Sequence, residues 1–310
     1  MTRTIRIGSR KSRLALVQSE HVGSLLAADP EVRYEIVRVD TAGDKQRDVP
    51  LPEVGGKGLF TAELEEMLRA GSVDIAVHSL KDLPGELGAG LVVGAVGARE
   101  DPRDVLVARG GGTLAELPAG ARVGTGSVRR AAQILSLRPD VAIASIRGNV
   151  PTRLEKLDRG EYDAVVLAAA GLHRLGLVKR ATEFFDTAAV VPAAGQGALG
   201  IECRADDADT LRVLRARVNE TAAETCCRAE RAVAARLEGG CNAPLGVHAT
   251  LGADGRMTIV ALATDVSGRR LVRVVRTASA AEWAELAKSV AADMIEKGAN
   301  ELLDAARRGG

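Results

Sequence analysis

The sequence predicts an α/β fold with two α/β lobes, a cleft between them and a small C-terminal α+β domain. Short apolar strand patterns alternate with amphipathic helical patterns through the first 200 residues, which is typical of α/β lobes. The run of small residues at 193–200 indicates a place where the chain crosses between lobes and backbones approach closely. After Asn219 the order changes to helix, strands and helix, which predicts a separate α+β domain.

The first lobe begins with a strand, a helix and a second strand, and a polar stretch, a second helix and a third strand follow. Alternating or buried apolar runs predict strands at 4–8, 34–39 and 74–78. Helical spacing of apolar residues predicts helices at 14–28 and 59–70, and Ser12 is a candidate N-cap of the first. The polar stretch from Thr41 to Gly58 is long for a loop in a compact domain, so it is a candidate lid.

The second lobe and the C-terminal domain follow the same rules. Strands of the second lobe are predicted at 105–107, 122–124, 142–146 and 164–167, and helices at 128–137 and 151–159. The C-terminal domain is predicted to contain a helix at 221–237, strands at 246–251, 257–264 and 270–276, and a last helix starting near Ala280.

Composition excludes several classes of protein. A chain of 310 residues with 46% apolar residues suggests two or three domains with ample cores. A net charge of +1 argues against a nucleic-acid-binding protein defined by bulk charge. The polar N-terminus does not resemble a signal peptide, and no apolar stretch is long enough to span a bilayer. The four cysteines have neither a disulfide pattern nor metal-ligand spacing, so we expect a reducing cytoplasm and no metal site.

Arginine dominates the basic residues: 34 arginines and 8 lysines make up the 42. Several arginines follow predicted strands or begin predicted helices, namely Arg10, Arg129, Arg130, Arg147 and Arg153. Ligands of open α/β sheets bind at the carboxyl ends of strands, where helix N-termini also favour anions. The arginines therefore predict a ligand rich in carboxylate or phosphate, although each of them alone is equally compatible with a solvated surface position. The phosphate-binding pattern Gly-x-x-x-x-Gly-Lys-Ser/Thr is absent from the sequence.

Two further segments carry reactive side chains. Lys81 and Asp82 follow a predicted buried strand and precede Pro84, so Asp82 is either an acid–base or cation-stabilising group, or a capping aspartate in a turn. His78 lies within the strand and is interpreted as structural. Cys241 follows two glycines at the end of a predicted helix, on a loop where a thiolate is accessible to a reactant.

An ordered set of motifs resembles the porphobilinogen deaminase (hydroxymethylbilane synthase) family over nearly the whole chain. The motifs are Val77-His78-Ser79-Leu80-Lys81-Asp82-Leu83-Pro84, Arg147-Gly148-Asn149-Val150, Gly195-Gln196-Gly197 and Glu238-Gly239-Gly240-Cys241. Without the resemblance, Gly195-Gln196-Gly197 indicates a hinge or close packing. The resemblance implies an enzyme that joins four porphobilinogen molecules head to tail on a dipyrromethane primer, releases ammonia and hydrolyses off a linear tetrapyrrole.

The resemblance also implies roles for individual residues. Asp82 is the central catalytic group with Lys81 beside it, and Cys241 holds the dipyrromethane through a thioether. The residues implied to bind the cofactor are Thr125, Ser127, Arg129, Arg130 and Lys57. Those implied to bind substrate are Arg10, Ser12, Arg147, Arg153 and Arg174. Some relatives carry a second lysine four residues before Lys57, but this chain has Glu53 there, so that role does not transfer.

The implied fold has two periplasmic-binding-protein-like lobes and a third domain that carries the cysteine. The implied boundaries are 1–98 with 198–217, 99–197, and 218–310, in a monomer without nucleic-acid or membrane partners. Two rival functions stay open at this stage. A non-catalytic anion-binding protein could share the fold. A Cys–His hydrolase would need a base near Cys241, and His248 is the nearest histidine along the chain.

Overall fold

A computed structural model of the chain describes residues 2–40, 61–237 and 243–308. The chain forms two compact units: Met1–Glu100 with Ala198–Glu224, and Asp101–Gly197 with Thr225–Gly310. The candidate lid, which includes Glu53 and Lys57, and the loop with Cys241 lie outside the described residues. The predicted division into three domains stays a prediction.

The described residues contain thirteen strands and nine α-helices. The strands are β1 (Arg3–Arg10), β2 (Val32–Val39), β3 (Ile75–Ser79), β4 (Leu91–Val96), β5 (Asp104–Ala108), β6 (Arg122–Gly124), β7 (Ala142–Ala144), β8 (Ala164–Ala168), β9 (Glu183–Phe184), β10 (Leu199–Arg204), β11 (Leu245–Leu251), β12 (Arg256–Thr264) and β13 (Leu271–Ser279). The helices are α1 (Arg13–Leu26), α2 (Ala62–Arg69), α3 (Val128–Leu137), α4 (Val150–Asp158), α5 (Ala169–Arg174), α6 (Ala208–Arg217), α7 (Thr221–Arg236), α8 (Trp283–Glu296) and α9 (Ala299–Arg308). None of the described helices is long and apolar enough to cross a membrane.

The first unit contains a five-stranded sheet in the order β2-β1-β3-β10-β4. Strands β2, β1 and β3 are parallel, and β10 runs antiparallel to both β3 and β4. Apolar residues from β1, β3 and β10 pack with α1 and α6 in one core, which includes Ile5, Val22, Ile75, Ile201 and Leu214. The chain therefore returns to the first sheet after residue 197 and inserts a strand into it.

The second unit contains a five-stranded sheet that repeats this order of directions. Its order is β7-β6-β8-β5-β9, with β7, β6 and β8 parallel and β5 antiparallel to β8 and β9. Its central strands β5 and β8 are buried on both faces: Leu106 and Val166 belong to one core, while Val105 and Val165 belong to another. This burial explains the continuous apolar runs in the sequence. The predicted α/β fold class is confirmed.

The C-terminal part of the second unit is an α+β arrangement, as predicted. Strands β11, β12 and β13 form an antiparallel sheet, and α7, α8 and α9 contribute to one core with it. The predicted last helix is two helices. The chain turns between them at Gly298, whose φ of 87° lies in the left-handed region that favours glycine.

Some elements were missing from the prediction for local reasons. Strand β10 has alternating Leu199, Ile201 and Cys203, but its first residues belong to the run at 193–200 that was interpreted as a crossing between lobes; β9 has only two residues. Helix α5 directly follows β8 within the run Ala168-Ala169-Ala170, which contains no signal for a strand end. The N-cap of α1 is confirmed, because the Ser12 side chain accepts a hydrogen bond from the Ala15 N–H at 3.3 Å.

Asp74 joins β1 to the start of β3. Its carboxylate accepts hydrogen bonds from the backbone N–H of Arg6 at 2.8 Å and from the Arg6 guanidinium at 2.8 and 3.1 Å. Arg204 on β10 lies 3.5 Å from the same carboxylate. Burial works to raise the pKa of Asp74, but the hydrogen bonds from Arg6 outweigh it and the pKa lies below its ordinary value.

The Asp74 carboxylate is therefore expected to stabilise the fold above its ordinary pKa of about 4, and this stabilisation is lost as the pH falls through the lowered native pKa. Asp74→Asn should lower the free energy of unfolding at pH 7 by about 1–3 kcal/mol. At pH 3 the difference from the parent should be smaller. Denaturant unfolding at both pH values measures it.

Asp209→Asn is the control, because Asp209 is exposed and lies 3.7 Å from the equally exposed Arg212. Its effect should be within about 0.5 kcal/mol at both pH values. An equal loss of stability in Asp74→Asn at pH 7 and pH 3 would contradict the ionic role.

Candidate active site

The turn that carries Asp82 is fixed by two leucines of the first unit. After β3 the chain makes one 3₁₀ turn over Leu80–Asp82. The side chains of Leu80 and Leu83 are buried, and the Leu80 N–H donates to the carbonyl of Ala198 at 3.0 Å. Gly200 on β10 lies beneath both leucines: a Cβ there would be 2.8 and 3.0 Å from their Cδ1 atoms. The close approach needs glycine and holds the turn on the sheet.

The Asp82 carboxylate is exposed at the end of this turn. Within the described part of the chain it makes no hydrogen bond or ion pair, so the alternative of a capping aspartate has no support there. Lys81 beside it is half-buried. A rigid turn therefore presents a carboxylate that is available to a ligand.

Buried polar groups lie under the same turn. His78 Nε2 is 3.0 Å from Glu202 Oε2, and both side chains are buried, in agreement with the structural interpretation of His78. Gln18 on α1 donates through Nε2 to Ser79 Oγ at 3.0 Å. Gln18 and Glu202 were missed in the sequence, because a lone Gln in a helix and a Glu in an apolar run give no signal of their partners.

Arg10 and Ser12 lie at the same edge of this sheet as Asp82. Strands β1 and β3 are parallel neighbours, so their carboxyl ends meet at one edge. Arg10 is the last residue of β1 and is half-buried, while Ser12 caps α1. The structure thus brings together these residues and Asp82, which are far apart in the chain.

In the second unit, β6 leads into a compact turn before α3. Ser127 Oγ accepts a hydrogen bond from the Arg130 N–H at 3.4 Å and is the N-cap of α3. Thr125 Oγ1 accepts from the Ser127 N–H at 3.2 Å, and Thr125 is buried. Gly126 allows the backbone to pass Ile146, since a Cβ there would lie 2.9 Å from its carbonyl oxygen. The turn therefore holds both hydroxyl groups in fixed positions.

Arg129 and Arg130 are 5% and 6% exposed, and both are paired with Asp104. Arg129 Nη1 is 2.7 Å from Asp104 Oδ2, and Arg130 Nη2 is 2.8 Å from Asp104 Oδ1. Arg129 also donates to the carbonyl of Val191 at 2.7 Å. Burial lowers the pKa of Arg129, and the nearby Asp104 opposes this effect. We call Asp104, Arg129 and Arg130 the arginine–aspartate cluster.

The direction of β5 explains why Asp104 reaches these arginines. Asp104 begins β5, which runs antiparallel to β8, and it is paired in register with Ala168 at the end of β8. The carboxyl ends of the parallel strands β6 and β8 and the amino end of β5 therefore lie at one edge. The sequence shows an aspartate at the start of a buried strand, which could have marked Asp104 as a candidate. The pattern does not reveal the direction of the strand, and therefore not the partners of Asp104.

The other candidate arginines of the second unit differ in their surroundings. Arg147 is half-buried, and its guanidinium has no hydrogen bond or ion pair among the described residues. Arg153 donates through Nε to the carbonyl of Gly148 at 2.8 Å. Arg174, in the last turn of α5, donates through Nη2 to the carbonyl of Gly197 at 2.6 Å. Each of these residues follows a parallel strand of the sheet, β7 or β8.

Comparison with known families matches almost the whole chain. Residues 5–212 match the model of the porphobilinogen deaminase dipyrromethane cofactor-binding domain, and residues 224–296 match that of the porphobilinogen deaminase C-terminal domain. A porphobilinogen deaminase of Syntrophobacter fumaroxidans is 48% identical over 303 residues, which cover 97% of each chain. That of Desulforudis audaxviator is 47% identical over 310 residues, which cover 100% of each chain.

Solved structures show weaker similarity. A lipoprotein of the YaeC family from Enterococcus faecalis has a TM-score of 0.42 at 16% identity, covering 74% of this chain and 96% of that one. The alkanesulfonate-binding protein SsuA from Xanthomonas axonopodis has a TM-score of 0.38 at 15% identity, covering 97% and 94%. Family models and full-length relatives, rather than these structures, identify the protein: the chain belongs to the porphobilinogen deaminase family.

Proposed function

We propose that Asp82 is the central catalytic group of this enzyme. As a member of its family, the chain is a transferase that joins four porphobilinogen molecules head to tail, releases ammonia at each addition and hydrolyses off hydroxymethylbilane. The observation that carries the proposal is the exposed Asp82 carboxylate, which has no partner in the described part of the chain and lies at one sheet edge with Arg10.

Asp82 is proposed to stabilise the positive charge that develops on the pyrrole ring as ammonia is lost. When the C–N bond of the protonated aminomethyl group breaks, the nitrogen leaves as ammonia and the methylene carbon stays on the ring; the pyrrole nitrogen of porphobilinogen supplies an electron pair to this carbon, and the ring becomes cationic. The Asp82 carboxylate accepts a hydrogen bond from the pyrrole N–H and stabilises this positive charge. Leu80 and Leu83 hold the turn rigidly, so the carboxylate needs little reorganisation as the charge forms.

The residues of the second unit fit the dipyrromethane, which supplies, when bound, the free pyrrole α-carbon that attacks the substrate. The ligand carries an acetate and a propionate on each ring. In the arginine–aspartate cluster two guanidinium groups face one carboxylate, so one positive charge is left over for a ligand anion. Ser127 and Thr125 place hydroxyl groups at the start of α3, where a helix N-terminus favours anions. We propose attachment through Cys241 and a further contact from Lys57.

Substrate carboxylates are proposed to bind Arg10, Ser12, Arg147, Arg153 and Arg174, with Lys81 close to the reacting group. Arg147 supports this assignment most clearly, because its guanidinium has no partner among the described residues. We further propose a cytoplasmic monomer of three domains with boundaries near residues 98, 197 and 217, without nucleic-acid or membrane partners.

A Cys–His hydrolase has little support. His248 is buried on β11, and its Nδ1 lies 3.3 Å from Oε1 of the buried Glu230. The other cysteines are poor nucleophiles: Cys203, Cys226 and Cys227 are buried, and burial raises the pKa of Cys203 to about 11. The other rival, a non-catalytic anion-binding protein, leaves the available carboxylate of Asp82 without a role.

The purified protein is expected to carry a covalent adduct of about two pyrrole units on Cys241. Intact-mass measurement and peptide mapping locate it. Cys241→Ser should fold normally and lack the adduct, whereas Cys227→Ser should keep it. An unmodified parent chain that still produces tetrapyrrole would disprove the assignment.

Asp82→Asn is expected to lower kcat by about 10²–10⁴-fold, because an amide cannot supply the negative charge. Steady-state assays of hydroxymethylbilane formation measure this, and circular dichroism checks the fold. The matched control is Glu86→Gln, which neutralises another exposed carboxylate four residues further along the chain. The central role of Asp82 is excluded if its variant turns over at a rate close to that of the control.

Arg147→Ala is expected to raise the KM for porphobilinogen about tenfold or more, because one charge-assisted hydrogen bond to a substrate carboxylate is lost. Arg159→Ala is the control, since Arg159 is exposed and paired with Glu161 at 2.7 Å. Equal KM values for the two variants would remove Arg147 from the binding site.

A further inference from the structure

Gln196 is a fully buried amide in the second unit. It lies between Gly195 and Gly197, whose φ angles of 75° and 93° are in the left-handed region that favours glycine. From the sequence this motif indicates a hinge or close packing. The structure shows in addition that the side chain between the two glycines enters the arginine–aspartate cluster.

The Gln196 amide contacts groups of both signs. Its Nε2 donates to the carbonyl of Pro102 at 2.7 Å and to Asp104 Oδ1 at 2.9 Å. Its Oε1 lies 3.5 Å from Nη2 of Arg129 and 3.5 Å from Nη2 of Arg130. The amide nitrogen thus faces acceptors, while the amide oxygen faces the two guanidinium groups.

The neutrality of Gln196 matters for the charge of the cluster. Two buried guanidinium groups and one carboxylate leave one surplus positive charge, and burying such a charge is costly unless an anion pairs with it. A glutamate in place of Gln196 would cancel the surplus. An apolar residue would leave it but would remove the acceptor that both guanidinium groups share. Only a neutral side chain with a hydrogen-bond acceptor can orient both guanidinium groups and leave the surplus positive charge of the cluster for a ligand anion.

We propose that Gln196 is a positioning residue for the carboxylate-binding arginines: it orients Arg129 and Arg130 and leaves their surplus charge to a carboxylate of the dipyrromethane. This inference rests on the proposed role of the two arginines. Gln196 acts through them and does not touch the reacting atoms. Its loss should weaken the assembly of the cofactor on the protein more than it weakens the fold.

Gln133 provides a matched control on α3. It is equally buried, and its carboxamide accepts from the Val191 N–H at 2.6 Å and donates to the Val191 carbonyl at 3.0 Å. Among the described residues its side chain binds backbone only, although Arg129 shares the Val191 carbonyl. Gln133→Met therefore removes a buried amide without removing a contact to a guanidinium group.

The experiment compares Gln196→Met with Gln133→Met in full-length protein that lacks the cofactor, produced in cells unable to make porphobilinogen. Each protein is incubated with increasing porphobilinogen, and intact mass gives the fraction that carries the covalent adduct. Thermal unfolding is measured in parallel. Both variants should lose similar stability, but only Gln196→Met should raise the half-saturating porphobilinogen concentration, by about tenfold.

The experiment has different outcomes for a failure of the positioning role of Gln196 and for a failure of the proposed cofactor attachment. A parent protein that acquires no adduct overturns the proposed cofactor attachment itself. Equal half-saturating concentrations for the two variants overturn the positioning role of Gln196. If Gln196→Met does not fold, Gln196→Asn replaces it, because its shorter amide does not reach the guanidinium groups. Loading of Gln196→Asn at the parent's concentration would then overturn the role.

Discussion

In both five-stranded sheets, the fourth strand runs antiparallel to the three parallel strands. The candidate site in each unit depends on this antiparallel strand. An antiparallel neighbour brings its amino end to the edge where the parallel strands have their carboxyl ends. In the first unit, this places the start of β10 beside the Asp82 turn, where Ala198 and Gly200 hold Leu80. In the second unit, it places Asp104 against Arg129 and Arg130. The site in each unit is therefore completed by a residue that is distant in the chain.

Charge is used in two ways in this protein. Arg6 and Arg204 both contact Asp74 where strands meet, but the Arg6 side chain is 37% exposed, so water also solvates its charge. The arginine–aspartate cluster is unbalanced, with two cations and one anion. A partly exposed guanidinium is stabilised by water, whereas the buried arginines of the cluster are paired fully only when an anion binds. This difference distinguishes structural arginines from those proposed to bind carboxylates.

The local features of the chain were predictable, because short-range rules decide them. The caps at Ser12, Ser127 and Asn149 have serine or asparagine directly before a helix, and in each case the side chain accepts a backbone N–H. Buried strands such as β5 and β8 appear as continuous apolar runs. Strand β10 was not predicted, because its first residues belong to a run that was interpreted as a crossing between lobes, and the pattern does not show that it pairs with β3 and β4.

By itself, the sequence determined the α/β class and the family and supplied the candidate site residues, since these depend on periodicity and on ordered motifs. Only the tertiary structure decided which of those candidates are paired with other residues in the described part of the chain. Asp82 and Arg147 have no partner among the described residues, while Arg129 and Arg130 are buried against Asp104 and Gln196. The physical reason is that a charge is available or neutralised according to its neighbours in space. Strand direction sets those neighbours, and the local pattern of residues does not encode strand direction.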